Sequence, residues 1–156
     1  MRIDETVPCR YLPAVLIAVF LLTTTEAAQA ANWVSVAKTD RTEAFVNTVS
    51  LGRSGPFVVV RTRQNFTEAQ PAAKKGKTFL SARNEYRVDC AARKLAYAEI
   101  HAYEALDLQG AVVQKTRIGE KNLKWMDAPA STVFGAILDY SCQHGPAEAT
   151  LPAPQR

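Results

Sequence analysis

The sequence predicts an α+β protein, mainly β, with an antiparallel sheet of about six strands and a C-terminal helix tethered to one face by a disulfide. Apolar and polar residues alternate with period two from Trp33 to about Val113, as in half-buried strands. After Pro129 the apolar residues recur at helical spacing. Cys90 ends the fourth predicted strand and Cys142 lies in the predicted helix, so a bond between them would join helix to sheet.

The first thirty residues predict a signal peptide. An apolar run of 12 residues (11–22) precedes Ala28-Gln29-Ala30, the small-x-small pattern that predicts cleavage between Ala30 and Ala31. The run is too short to span a bilayer, which needs roughly 20 apolar residues. We therefore expect an exported protein of the periplasm or cell surface, or a secreted one, with no transmembrane segment in the mature chain.

The mature chain contains two cysteines, Cys90 and Cys142. An even pair in an oxidising compartment predicts a disulfide, whereas a free-thiol site or half of a metal site are the alternatives. A metal would need further ligands, and His101 and His144 are the only imidazoles. We therefore predict no metal site.

The length of the mature chain indicates one domain, 31–145, followed by a Pro/Ala-rich tail, 146–156, that is predicted to be disordered.

The mature chain has a modest excess of basic residues. Removal of residues 1–30 takes away 2 of 19 basic and 3 of 15 acidic side chains, which leaves a net charge of +5. The cluster Lys74-Lys75-Gly76-Lys77 is typical of a solvated loop. No basic stripe interleaved with aromatics is apparent, so no nucleic-acid partner is expected.

Six strands are predicted from the alternation and the turn residues between them. The fifth has enough alanine to be read as helix instead. Their ranges are 33–37, 43–51, 57–66, 81–90, 93–103 and 110–116.

Alternation also predicts which side chains share a face. In strand four the residues that share the face of Cys90 are Ala82, Asn84, Tyr86 and Val88, and the charged set opposite is Arg83, Glu85, Arg87 and Asp89. In strand five, Ala96, Ala98, Ile100 and Ala102 alternate with Tyr97, Glu99, His101 and Tyr103. We expect the small alanines to face the helix, which begins after an N-cap at Ser131 and stops at Gly145.

A series of residues and short motifs, taken in their order along the chain, resembles the surface-adhesin protein E family over about residues 33–145. They are Trp33, alternating strands two and three, Ser81, Asp89-Cys90, an aromatic-bearing strand, Gly110-Ala111-Val112-Val113, Trp125 and Cys142 after a Pro/Ser helix start. The resemblance implies a mostly antiparallel sheet whose C-terminal helix is held to the concave side by the disulfide. It also implies a bacterial envelope protein that binds host matrix proteins and haem and forms dimers.

These observations predict a non-enzymatic binding or adhesin-like module, with host or envelope proteins as partners and a homodimer as its assembly. A structural periplasmic protein without a small ligand and a haem-binding protein are the alternatives. No catalytic motif is visible, so no catalytic residue is assigned.

One candidate ligand face remains, formed by Tyr97, Glu99, His101 and Tyr103. It would contact haem or an anion, with His101 or a tyrosine as axial ligand. The alternative is a solvated strand face, because residues two apart align on any strand. Trp33 and Trp125 are predicted to lie in the core.

Overall fold

An open antiparallel sheet of eight strands and one helix make up the computed structural model, which describes residues 32–147. The predicted signal peptide, its cleavage site at Ala30 and Ala31, and most of the predicted tail lie outside these residues and stay predictions. The strands are β1 (Trp33–Lys38), β2 (Thr42–Asn47), β3 (Gly52–Ser54), β4 (Phe57–Pro71), β5 (Thr78–Asp89), β6 (Lys94–Tyr103), β7 (Val112–Arg117) and β8 (Met126–Asp127), and the helix is α1 (Val133–His144).

The sheet has the order β1-β2-β4-β5-β6-β7, and every pairing is antiparallel. The short strands β3 and β8 pair with β4 and β6. Six main strands confirm the predicted sheet, and β6 is a strand rather than a helix. Successive side chains of a strand point to opposite faces, and we call the face that carries α1 the helix face and the opposite one the outer face.

The strand boundaries differ most from the prediction in two places. β2 ends at Asn47, whose side chain accepts a hydrogen bond from the backbone N–H of Val49 (3.2 Å) and starts a 3₁₀ turn, Thr48–Ser50. The chain then pairs again as β3, where a turn was predicted. β4 continues to Pro71 and β5 begins at Thr78, so the interval between the third and fourth predicted strands is reduced to the hairpin tip at 72–77.

The helix begins one residue later than predicted. Thr132, not Ser131, is the N-cap, and its hydroxyl accepts from the backbone N–H of Gly135 (3.0 Å). Gly135 is required by packing, since a Cβ there would collide with the carbonyl of Pro129. Gly145 ends the helix as predicted, and its N–H donates to the carbonyl of Ser141 (2.8 Å).

The core lies between α1 and one half of the helix face. Ile137 and Leu138 of the helix are fully buried, and they belong to one cluster with Val60, Tyr86 and Val88 of the sheet. Cys90 and Cys142 form the predicted disulfide, with their Cα atoms 5.8 Å apart and a sequence separation of 52. Closing a loop of that length is worth about 4 kcal/mol in the chain-entropy model. Sheet and helix are therefore joined both by apolar contact and covalently.

Within residues 32–147, no helix has the length and apolar character needed to cross a membrane.

Candidate ligand-binding face

A β-bulge in β6 divides the predicted ligand face. Glu99 pairs with Glu85, but Tyr97 pairs with Tyr86, so Ala98 is an extra residue without a partner on β5. One extra residue moves the side chains before it to the opposite face. Tyr97 therefore lies on the helix face, and only Glu99, His101 and Tyr103 lie together on the outer face. The expectation that all four share one face is wrong.

The bulge also corrects the expected alanine face. Ala96 pairs with Arg87 and lies on the outer face, whereas Leu95 pairs with Val88 and enters the core. Leucine and tyrosine, not three alanines, are the side chains that β6 contributes beneath the helix. Strand β5 has no such interruption in this region, and its predicted alternation is confirmed.

Tyr97 is part of an aromatic cluster. Its ring centroid lies 4.6 Å from that of Tyr86 and 6.2 Å from that of Phe134 in the helix. Burial raises the pKa of the Tyr97 phenol, and it raises that of the fully buried Tyr86 much further. Both phenols are therefore neutral at physiological pH, and Tyr97 contributes to packing.

His101 is buried on the outer face, with 7% of its surface exposed. Its Nδ1 lies 2.8 Å from Nη2 of Arg83, and because a guanidinium has only donors, Nδ1 must be the unprotonated acceptor. The neutral ring then carries its proton on Nε2, which lies 2.7 Å from Oε1 of Glu99 without the alignment of a good hydrogen bond.

The surroundings of His101 favour its neutral form. Burial lowers the pKa of the imidazole first, and the positive charges of Arg83 and Lys115 lower it further, whereas Glu99 acts in the opposite direction. A second proton on Nδ1 would face the guanidinium of Arg83 directly.

Haem ligation by His101 stays a prediction. Iron would have to reach a buried ring whose nitrogens face Arg83 and Glu99. Tyr103 lies on the same outer face, opposite Ser81, and Tyr97 lies on the other face. Among the described residues, no group of three or more His, Cys, Asp or Glu side chains could hold a metal ion.

Two groups of ion pairs lie side by side on the outer face. In the first, Glu99 contacts Arg83 (3.8 Å), His101 (2.7 Å) and Arg117 (3.1 Å), and the second is centred on Glu85 and Arg87. Arg87 contacts Glu85 (2.9 Å) and Glu120 (2.7 Å), and Glu85 accepts a further bond from Arg61 (3.0 Å). Burial acts to raise the pKa of Glu85, but hydrogen bonds and charge from Arg87 and Arg61 outweigh it, so the pKa is lowered. The same pairing raises the pKa of Arg87 despite its burial. Charged residues of three neighbouring strands and the turn at Glu120 are thus fixed in position.

The sequence did not reveal a second feature of this face, a cation–aromatic cluster at Arg63. Its guanidinium lies 4.1 Å from the ring centroid of Phe45 and 5.5 Å from that of Trp33, and it pairs with Asp107 at 3.2 Å. Trp33 is half-buried at the sheet edge, and Trp125 is half-buried against Phe57. The prediction that both tryptophans lie in the core is therefore wrong. The sequence did contain one signal for this cluster. Phe45 lies between Ala44 and Val46, which are buried, so alternation places its aromatic ring on the outer face.

Comparison with known proteins identifies the family. The family model described as surface-adhesin protein E matches residues 33–143. The solved structure of Haemophilus influenzae protein E has a TM-score of 0.52 at 13% identity, covering 77% of this chain and 91% of that one. Protein E from non-typeable Haemophilus influenzae matches with a TM-score of 0.49 at 14% identity, over 72% and 77% of the two chains. A search of curated proteins found no significant match.

The family match spans both cysteines and every strand, and the first of the two structures supports the fold independently. The chain belongs to the surface-adhesin protein E family and is an exported, adhesin-like binding protein of the bacterial surface.

Proposed function

We propose that this protein is a non-enzymatic adhesion module that binds an acidic surface of a host or envelope protein through its outer face. The observation that carries the proposal is the difference in exposure between the arginine and glutamate side chains of two ion pairs on that face. The side chains of Glu85 and Glu99 are each 19% exposed, whereas those of Arg61 and Arg117 are 56% and 83% exposed. At these two pairs the carboxylate lies underneath, and a partner would meet the guanidinium group first. At Glu120 and Asp107 the order is reversed, so the proposed contact is limited to Arg61 and Arg117.

Arginine suits this role because its planar fork binds carboxylates in two-point contacts and packs on aromatic rings. Arginine, tyrosine and tryptophan are enriched among the residues that dominate protein interfaces. At one side of the face Phe45 and Trp33 supply aromatic rings, and Arg63, 17% exposed and paired with Asp107, holds them together. Between the strands, two depressions of about 340 and 140 Å³ share Glu85 and Glu99 in their walls and would admit side chains of a partner.

The ion pairs reduce the entropic cost of binding. Arg87, with 13% of its side chain exposed, contacts two carboxylates and cannot sample many rotamers. Ordering rotamer-rich side chains costs about 0.5–1.5 kcal/mol each on association, and this cost is lower where they are already fixed. The outer face is therefore preorganised for an acidic partner.

Surface plasmon resonance with the exported protein and immobilised host matrix glycoproteins tests the proposal. We expect the double variant Arg61→Ala/Arg117→Ala to weaken binding by about tenfold or more, because hydrogen bonds to charged groups contribute about 1.5–3 kcal/mol. Arg41→Ala is the matched control, since Arg41 is 85% exposed in the turn between β1 and β2, away from the face. Binding should also weaken as salt rises.

Equal losses for the control and the double variant would contradict the proposal, as would binding that is insensitive to both variants. Protease accessibility on intact cells gives the location independently, because an adhesin must be cleaved without lysis. A homodimer stays a prediction that sedimentation of the exported protein tests.

A further inference from the structure

The helix covers only part of the helix face, and a trough occupies much of the rest. Beyond the core, the face continues with the buried polar residues Thr62, Gln64 and Asn84. It also carries Ile100, a half-buried hydrophobic residue that does not belong to the cluster packed on α1. Two cavities of about 350 and 190 Å³ lie here, and both have Tyr97 and Ile100 in their walls. They are therefore neighbouring parts of one elongated trough.

The trough has apolar walls and a small polar part. Ile118 and Met126 line the larger cavity, and Phe66 and Phe79, with ring centroids 5.6 Å apart, line the smaller one. The floor of the smaller cavity includes the amides of Gln64 and Asn84, which bond to each other at 3.3 Å. Small-molecule sites typically have this composition and volumes of about 300–1,000 Å³.

The single positive charge in the walls of the trough indicates which class of ligand it would bind. No carboxylate lines either cavity, and Lys124 is the one charged residue in their walls. Within residues 32–147, Lys124 has no ion-pair or hydrogen-bond partner. An apolar trough whose single charged group is an unpaired cation complements a molecule with an apolar body and one anionic head.

We propose that the trough binds the acyl chain of an anionic amphiphile, with its carboxylate or phosphate at Lys124 and its chain lying across Tyr97 and Ile100. The acyl chain comes either from a free fatty acid or from an acidic lipid, since the two share this chemistry. The site is on the opposite face from the arginines proposed to bind a protein partner. Failure of one proposal therefore leaves the other intact.

Calorimetric titration of the exported protein with saturated fatty acids of eight to fourteen carbons, below their micellar concentrations, tests the proposal. We expect the Kd to fall about fourfold for each added methylene until the trough is filled. An alkyl trimethylammonium of the same length should bind far more weakly. A Kd that does not depend on chain length, or equal binding of the cationic analogue, would overturn the proposal.

Matched variants locate the site. Lys124→Glu should weaken fatty-acid binding by about tenfold or more, whereas Lys121→Glu, an exposed lysine outside both cavities, should not. Ile100→Ala should weaken it about fivefold, and Val112→Ala, 51% exposed on the neighbouring strand, should leave it unchanged. Circular dichroism confirms that each variant is folded. Equal effects within either pair would refute the location.

Flotation with vesicles distinguishes the two sources. Co-flotation with phosphatidylglycerol vesicles but not with phosphatidylcholine vesicles, lost in Lys124→Glu, identifies a membrane lipid. Binding of free fatty acids without co-flotation identifies the free acid. If neither binds and sedimentation shows a dimer that Ile100→Glu dissociates, a second copy occupies the trough and the proposal is wrong.

Discussion

The two faces of the sheet are shielded from water by different means. On the helix face, Val60 and Tyr86 are fully buried beneath a helix that is bonded covalently to the sheet. On the outer face, the side chains of Arg87 and Glu85 keep 13% and 19% of their surface exposed, and they are covered by other charged side chains. Apolar burial contributes about 25 cal/mol per Å², whereas exposed ion pairs contribute about 0–1 kcal/mol each. Stability therefore resides on the helix face, and the outer face can vary its charges for binding.

The bulge at Ala98 is the point where β6 changes its contribution to the two faces. Before it, Leu95 and Tyr97 point into the core, and after it, Glu99 and His101 point to the outer face. A continuous strand could not place Tyr97 against Phe134 and His101 against Arg83 while keeping its pairing with β5. The difference between the faces can be tested by substitutions on each of them.

The largest expected effect comes from the disulfide that fixes the helix. Cys142→Ala should lower the free energy of unfolding by about 4 kcal/mol, because the unfolded chain regains the freedom of a long loop. Urea denaturation measures the loss. The double variant Cys90→Ala/Cys142→Ala is the control, since it removes the same bond without leaving a free thiol. Oxidised and reduced wild-type protein that unfold at the same urea concentration would contradict this expectation.

The second largest effect is a difference in stability between alanine variants of two tyrosines in β6. Tyr97→Ala should cost about 2–3 kcal/mol, somewhat less than a fully buried aromatic residue, because it removes ring contacts with Tyr86 and Phe134. Tyr103→Ala, on the outer face, should cost no more than about 1 kcal/mol. Thermal unfolding of both variants gives the difference. Equal costs would mean that the bulge does not separate the two side chains.

Much of the fold could be predicted because alternation in β5 and a cysteine pair in an exported chain each constrain the structure strongly. Asn84, Tyr86 and Val88 are buried as the period-two pattern requires. The helix and its disulfide follow from local spacing and compartment, and both are confirmed.

The candidate site was harder to predict because a bulge leaves no fixed signature in one strand. Residues 93–103 alternate evenly enough to hide the extra residue at Ala98, which appears only in the pairing with β5. The contact of Arg63 with Trp33 joins residues of β4 and β1, which lie on either side of β2. Such contacts depend on strand order, and local pattern does not encode it.

The smallest effect concerns His101 and depends on pH. The folded protein lowers the pKa of this imidazole below its usual value near 6.5, so the unfolded chain binds the proton more readily. The stabilisation is therefore complete above about pH 6.5 and is lost as pH falls through the folded pKa. Each pH unit within that window changes the stability by at most about 1.4 kcal/mol.

His101→Gln tests this, because glutamine stays neutral and can still accept a hydrogen bond from Arg83. We expect the stability of wild-type protein to decline more steeply than that of the variant between pH 7.5 and pH 5.5, as measured by urea denaturation at each pH. Protonation of Glu85 affects both proteins alike and begins at lower pH, since its pKa lies below 4.5. Parallel curves would show that His101 is as easily protonated in the folded protein as in the unfolded chain, and that neither its burial nor Arg83 controls its charge.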